Sequence, residues 1–338
     1  MTIRDIANYC SVSVSTVSRV LNGRPDVSDA VRAKVLAAMD KLNYVPNTSA
    51  RALGQTFSDS IGVIVRGGGN PFYTQLIQAI EKSVNEAGYT MVINHIPDAG
   101  DEVAAGASLA RSSRLAGLIF LGGCFDYDDS RMASLNVPYV CCTFANTFGY
   151  LSENDYSSVS IDDRKEALRA VRYLTEHGHR RIAILLASKD DNSTGQLRFM
   201  GYCDALKEAG IEYDPQLVCE TGAYEMDAAY KRTLKLLKSD THFTALFVIA
   251  DSLAIAAMKA IYENSLSIPG DISLIAIDGI EMSLYTAPTL TTLVQPREKM
   301  GTEAVSTLIN IIKNGGENQH LRFAAELREG GTVAALDS

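Results

Sequence analysis

Residues 1–22, MTIRDIANYCSVSVSTVSRVLN, decide how the rest of this chain is read. Thr2 followed three positions later by Asp5 is a capping-box-like pair. The hydroxyl can accept from an orphan amide, and the carboxylate suits the positive end of a helix. Ile3, Ile6 and Ala7 fall on one face at helical spacing. Cys10-Ser11-Val12 breaks that pattern, and Ser13 is a good N-cap for a second helix. There Val17, Val20 and Leu21 point inward, while Val14, Ser15, Ser18 and Arg19 stay outside. Asn22-Gly23 ends the helix, and Pro25 forbids its continuation. Two short helices on a tight turn predict a helix-turn-helix whose second helix can enter a major groove. Arg19 can donate two hydrogen bonds to a guanine edge. The plainer alternative, a helical hairpin with no nucleic-acid role, leaves the agreement of cap, turn and apolar positions unexplained.

A third helix follows, capped by Ser28, with Val31, Val35, Met39 and Leu42 inward. Asn43-Tyr44-Val45-Pro46 ends it. Residues 46–58 are rich in small residues and flanked by breakers. An isolated helix of that length is marginal in water. The segment therefore reads as a linker, or as a hinge helix that forms only on DNA.

From Ser60 onward buried strands alternate with helices. Strands are expected at 61–65, 90–94, 118–121 and 139–143, with helices at 72–87 and 102–113 between them. A second series runs through helices at 163–177, 194–209, 227–238 and 253–264, with strands at 182–187, 217–221, 245–249 and 273–277. A strand at 291–294, a helix at 298–313 and one last strand at 323–328 complete the chain. Alternation of this kind implies parallel sheets with right-handed crossovers. Two such series imply two lobes, and ligands of such sheets bind beyond the carboxyl ends of the strands.

The net charge of −9 is unusual for a DNA binder, but it is unevenly spread. Residues 1–60 carry seven Lys and Arg against five Asp and Glu; the remainder carries 24 against 35. Phosphate neutralisation sets non-specific affinity, so the N-terminal region alone should bind DNA weakly. The six cysteines have neither ligand-type nor disulfide-framework spacing, which implies free thiols in a reducing compartment. The five histidines are scattered, so no metal site is expected. No apolar run is long enough to span a membrane, and the polar N-terminus is unlike a signal peptide. Gly67-Gly68-Gly69 lacks the spacing of a phosphate-cradling loop and reads as a cleft rim. Of the acidic pairs Asp162-Asp163 and Asp190-Asp191, Asp162 reads as lying near the lobe crossover and the others as helix N-terminal or loop carboxylates rather than acid–base pairs.

The chain resembles the LacI/GalR family of bacterial transcriptional repressors. Ile3-Arg4-Asp5-Ile6-Ala7, Thr16-Val17-Ser18-Arg19-Val20-Leu21-Asn22, Tyr44-Val45-Pro46-Asn47 and Ala50-Arg51-Ala52-Leu53 carry the likeness, as do Asn70-Pro71-Phe72-Tyr73, Gly178-His179-Arg180-Arg181-Ile182, Ile268-Pro269-Gly270-Asp271-Ile272 and Pro288-Thr289-Leu290-Thr291-Thr292. The implied fold is α/β: an N-terminal all-α helix-turn-helix headpiece plus a two-lobed periplasmic-binding-protein-like core with parallel sheets. The headpiece would occupy 1–45, a hinge 46–58 and the core 59–338. Lobe one would be about 59–160 and 294–320; lobe two, about 161–293 and 321–338.

The resemblance implies a cytoplasmic, nucleoid-associated bacterial homodimer on pseudo-palindromic operator DNA, with no membrane partner, catalysis, metal or cofactor. Thr2, Val14, Ser15, Thr16, Ser18, Arg19, Asn22, Asn47, Ala50, Arg51 and Leu53 would contact DNA, Leu53 as a minor-groove wedge. Phe72, Tyr73, Phe144, Asn192, Thr194, Arg198, Tyr224, Asp251 and Asp278 would hold a small-molecule effector, a sugar or sugar derivative. A purine or other corepressor is the alternative effector, and a sugar-binding transport protein the alternative function. The chain departs from the pattern of sugar-responsive members in three places. Ala250 stands where many have Asn, Gly279 where many have a second Asp, and Thr143-Phe144 where an Arg is frequent. In the hinge, Gly54 replaces a longer residue, weakening a helix there by up to about 1 kcal/mol.

Overall fold

The computed structural model describes residues 2–21, 24, 26–42, 59–67 and 69–336. The chain divides into two compact units, 1–58 and 59–338. The expected hinge, with Asn47, Ala50, Arg51 and Leu53, lies outside the described residues, as does Asn22.

The first unit is a three-helix cluster: α1 (Ile3–Tyr9), α2 (Val14–Leu21) and α3 (Asp29–Lys41). Ile6, Ala7, Cys10, Val17, Val20, Val35 and Ala38 form its core. The caps work as the sequence requires. The Thr2 amide donates to Asp5 Oδ2 at 2.7 Å, and the Thr16 amide donates to Ser13 Oγ at 3.1 Å. Each satisfies a terminal group that the helix ladder leaves open.

The second unit holds two six-stranded sheets. The first contains β1 (Ser60–Arg66), β2 (Thr90–Ile96), β3 (Gly117–Leu121), β4 (Tyr139–Cys142) and β5 (Ser157–Ile161), with helices α4 (Phe72–Glu86), α5 (Glu102–Ser113) and α6 (Asp129–Met132) between its strands. The second contains β6 (Ile182–Leu186), β7 (Val218–Glu220), β8 (Ala245–Val248), β9 (Ser273–Asp278) and β10 (Thr291–Val294). Its helices are α7 (Asp163–Glu176), α8 (Thr194–Glu208), α9 (Met226–Leu237) and α10 (Asp251–Glu263). Helix α11 (Arg297–Asn314) returns to pack on α4. Strand order is β11-β5-β4-β3-β1-β2 and β12-β10-β9-β8-β6-β7, where β11 is His320–Phe323 and β12 is Glu326–Arg328. All pairs are parallel except β10 with β12.

The structure differs from expectation in four places. The single last strand is two strands in different sheets, because β11 pairs with β5 and β12 with β10. The first sheet thus runs through Ile161 in β5 and Phe323 in β11, a few residues past the approximate lobe bounds at 160 and 320. The antiparallel edge strand β12 was not foreseen. Nor was β5, whose sequence Ser-Ser-Val-Ser-Ile reads as polar, although all five residues are buried. Ser157 Oγ donates to Asn318 Oδ1 at 2.8 Å, and Ser158 Oγ lies 2.8 Å from His320 Nδ1. These partners let the hydroxyls leave water.

Candidate functional site

In each sheet the strand order reverses beside the first strand: between β1 and β3, and between β6 and β8. Such reversals open a crevice at the carboxyl ends of the strands. The two crevices face one cavity of about 320 Å³. Strand ends supply its walls: Arg66 and Gly67 after β1, Asp98 after β2, Gly122 after β3 and Thr143 after β4 from the first lobe. Ser188 follows β6, Tyr224 lies beyond β7, Ala250 follows β8, and Asp278 and Gln295 come from the ends of β9 and β10. Gly122 has φ +69°, and a Cβ there would stand 2.6 Å from the Tyr73 hydroxyl. Only glycine lets that ring lie on the cavity floor.

Of the nine side chains expected to hold an effector, Phe72, Tyr73, Thr194, Arg198, Tyr224 and Asp278 line the cavity. Arg198 is buried on α8, its Nε 2.9 Å and Nη2 2.8 Å from Asp163 Oδ1. Its Nη1 donates to the Ile249 carbonyl and lies 3.5 Å from Asp278 Oδ1. Asp278 is a non-glycine residue at φ +133°, a sparsely populated conformation that clusters at functional sites. Gln295 Nε2 donates to its Oδ1 at 2.9 Å, and Arg297 donates to its carbonyl at 2.7 Å. Burial pushes the Asp278 carboxyl up, while Arg198, Gln295, Arg297 and Asn70 across the cleft hold it down. Burial likewise lifts Asp163 to about 6 despite Arg198. The buried Asp278 Oδ2 and Tyr224 hydroxyl have no protein partner. Buried polar atoms are rarely left so, and unpaired ones call for a ligand or water.

The other three residues are corrected. Thr143, at φ +82°, turns the chain so that its own side chain meets the cavity while Phe144 enters the core. There Phe144 stacks on Phe125, ring centres 5.2 Å apart. Phe144→Leu should therefore lower unfolding free energy by about 1–2 kcal/mol in urea titrations and leave ligand affinity in the cavity unchanged. Asp251 sits behind the cavity at the start of α10, accepting from the Ile280 amide (2.9 Å) and Thr292 Oγ1 (2.6 Å). Asn192 bridges the lobes instead: its carbonyl accepts from the Phe125 amide at 2.9 Å, and its Nδ2 donates to Asp126 at 3.2 Å.

Sequence reasoning missed Arg66, Asn70, Asp98, Ser188, Ser193 and Gln295 as lining residues, and took Asp191 for a loop carboxylate. Their common signal was available: most lie within a few residues of the carboxyl end of a strand. Arg66 is held by Glu102, 3.6 Å away, and by the Asp98 carbonyl and Cys124 Sγ.

On α2, Val14, Ser15 and Arg19 are exposed, Thr16 and Ser18 half-buried, and Val17 and Val20 buried. The outer face is thus available to a groove, with an apolar Val14 that suits a thymine methyl. Arg19 reaches Asp26 at 3.4 Å, an exposed pair that holds it weakly. Thr2 is exposed at the start of α1.

Residues 2–47 match the bacterial regulatory proteins of the lacI family, and residues 171–333 match the periplasmic binding protein-like domain. The HTH-type transcriptional regulator MalR of Clostridium butyricum is 38% identical over 331 residues, covering 97% of this chain and 98% of the relative. The HTH-type transcriptional repressor PurR of Proteus mirabilis is 33% identical over 322 residues, covering 94% and 92%. Among solved structures, the lac repressor dimer bound to operator and the anti-inducer ONPF superposes with a TM-score of 0.81 at 28% identity, covering 99% of each chain. The transcriptional regulator CelR in complex with cellobiose gives 0.71 at 26% identity, covering 98% of this chain and 99% of that one.

Proposed function

Because this chain belongs to the LacI family of bacterial regulatory proteins, we propose that it is a transcriptional repressor whose operator affinity is set by a carbohydrate in the interlobe cavity. The observation that carries the ligand is the pair of buried, unpartnered atoms on the cavity wall, Asp278 Oδ2 and the Tyr224 hydroxyl. A sugar presents several hydroxyls, each able to donate to a carboxylate and accept from a phenol. Phe72 and Tyr73, edge to face at 5.5 Å, give its ring an apolar surface. Thr194 and Asp278 orient it, with Arg198 holding Asp278 in place from behind. The protein acts by binding rather than turnover, in the cytoplasm on the nucleoid.

Two copies place two α2 helices in successive major grooves of a pseudo-palindrome. Val14, Ser15, Thr16, Ser18, Arg19 and Asn22 read or position the half-site, with Thr2 on the backbone. Residues 46–58 fold as a hinge helix in the minor groove, where Asn47, Ala50 and Arg51 make contacts and Leu53 wedges between base pairs. Ligand in the cavity changes the angle between lobes, so ligand and operator affinities are reciprocally linked.

The test is operator binding by fluorescence anisotropy with and without sugars or nucleobases. A sugar that shifts operator affinity, with the reciprocal shift in its own affinity, is the expected result; a nucleobase doing so instead identifies the corepressor alternative. Leu53→Ala should weaken operator binding far more than random-DNA binding, and equal losses refute the wedge. Arg19→Ala should lose about 1–3 kcal/mol of discrimination at one operator position; an unchanged base profile removes Arg19 as a reader.

A further inference from the structure

We infer that the cavity selects an uncharged polyol and rejects its phosphorylated form, an inference that rests on the carbohydrate reading above. Among the described lining residues the side-chain cations are Arg66 and Arg198; Arg198 is committed to the protein through all three nitrogens and Arg66 through Nε and Nη1. Arg198 spends Nε and Nη2 on Asp163 and Nη1 on the Ile249 carbonyl, beside Asp278. Arg66 directs Nε to the Asp98 carbonyl at 2.6 Å and Nη1 to Cys124 Sγ at 2.7 Å, with Glu102 behind. Against these two stand the lining carboxylates Asp98, Asp191 and Asp278, with Glu102 and Asp163 directly behind the arginines.

Helix N-termini are the other common source of anion affinity, and at α4 and α8 a first-turn amide is already bonded within the protein. The Phe72 amide at the start of α4 donates to Asn70 Oδ1 at 3.0 Å, and the Gly195 amide in α8 to Ser193 Oγ at 3.1 Å. An incoming phosphate would meet three carboxylates against two guanidiniums already paired with Glu102 and Asp163, and like charges in a desolvated site are strongly disfavoured. A neutral polyol meets the same wall differently. Its hydroxyls donate to Asp278 Oδ2, whose burial without a partner is otherwise unexplained, and to Asp98 and Asp191. The anionic wall is thus both the recognition element for hydroxyl donors and the filter against anions.

Isothermal titration of the full chain with matched pairs tests this: ribose and ribose 5-phosphate, glucose and glucose 6-phosphate, cellobiose and cellobiose 6-phosphate, with inorganic phosphate alone as the anion probe. The expected result is that the member that binds is neutral, that its phosphate binds about tenfold more weakly or worse, and that inorganic phosphate does not compete. Asp191→Asn should narrow the gap within the pair. A phosphorylated sugar that binds as tightly as its neutral partner, or binds alone, overturns the inference; if that sugar also shifts operator affinity, the proposed function stands without it. Silence across every pair overturns both.

Discussion

Arg198→Ala should destabilise the core by about 3–5 kcal/mol at pH 7.5 and abolish ligand binding. The guanidinium and Asp163 are both 4% exposed, and Asp278 is as deeply buried. Removing the cation leaves two carboxylates and the Ile249 carbonyl in a site from which water is excluded. That residual charge, rather than the lost attraction, is the larger penalty. Arg198→Lys should recover little, because one ammonium on a flexible stem cannot span Asp163 and the Ile249 carbonyl with fixed geometry. Adding Asp163→Asn to Arg198→Ala should restore part of the stability but none of the binding. Urea unfolding and sugar titration on the same preparations separate the two effects. A loss below about 1 kcal/mol would mean that the pair is solvated rather than buried.

The second large effect is a stability that falls as pH rises from about 4 to about 8. Burial lifts Asp163 to about 6, and burial with the nearby Asp278 lifts Asp251 to about 7. Both carboxyls therefore take up a proton on folding. Their stabilising contribution is complete below the ordinary aspartate value and is lost as pH climbs through 6 and 7. Each contributes a slope of roughly 1.4 kcal/mol per pH unit across its window. His179 opposes this below 6.5: burial lowers its pKa, so the unfolded chain binds the extra proton there. Between pH 6.5 and 7 Asp251 carries most of the decline while the opposition of His179 fades. Asp251→Asn should flatten the profile, and Asp→Asn at exposed Asp227 should not. Thermal melts from pH 4.5 to 8 supply the measurement; a curve that rises from pH 6.5 to 7 would contradict the burial of these carboxyls.

Much of the fold could be read from the chain because local and global signals coincide. Ser13, Ser28 and the alternation of buried strands with amphipathic helices each point to the element that forms. The exceptions are instructive. β5 escaped notice because its buried serines are satisfied by Asn318 and His320, some 160 residues away, a partnership invisible to local polarity. The last strand was mistaken for one element because Ala324-Ala325 carries no breaker, yet the chain changes sheets there. The cavity was legible as a place, since the carboxyl ends of parallel strands converge, but not in full as a set of side chains. Phe144 and Thr143 are neighbours, and a single positive φ decides which of them faces the ligand. Asn192 and Asp251 carry chemistry suited to a ligand, but one is occupied by the opposite lobe and the other by Thr292 and the Ile280 amide.

The chain passes between its sheets three times, and this constrains how its gene can change. Each lobe is stitched from separate stretches of coding sequence, since α11 and β11 complete the first lobe after the second has been almost fully encoded. A single recombination event anywhere between codons 162 and 323 therefore joins one parent's strands to another parent's closing helix or strand. Exchanging an intact lobe between two relatives takes at least three breakpoints in register. New ligand preferences in such a chain are expected to accumulate by point substitution at the strand ends, while the N-terminal unit, one uninterrupted stretch from residue 1 to 58, can be exchanged as a single segment.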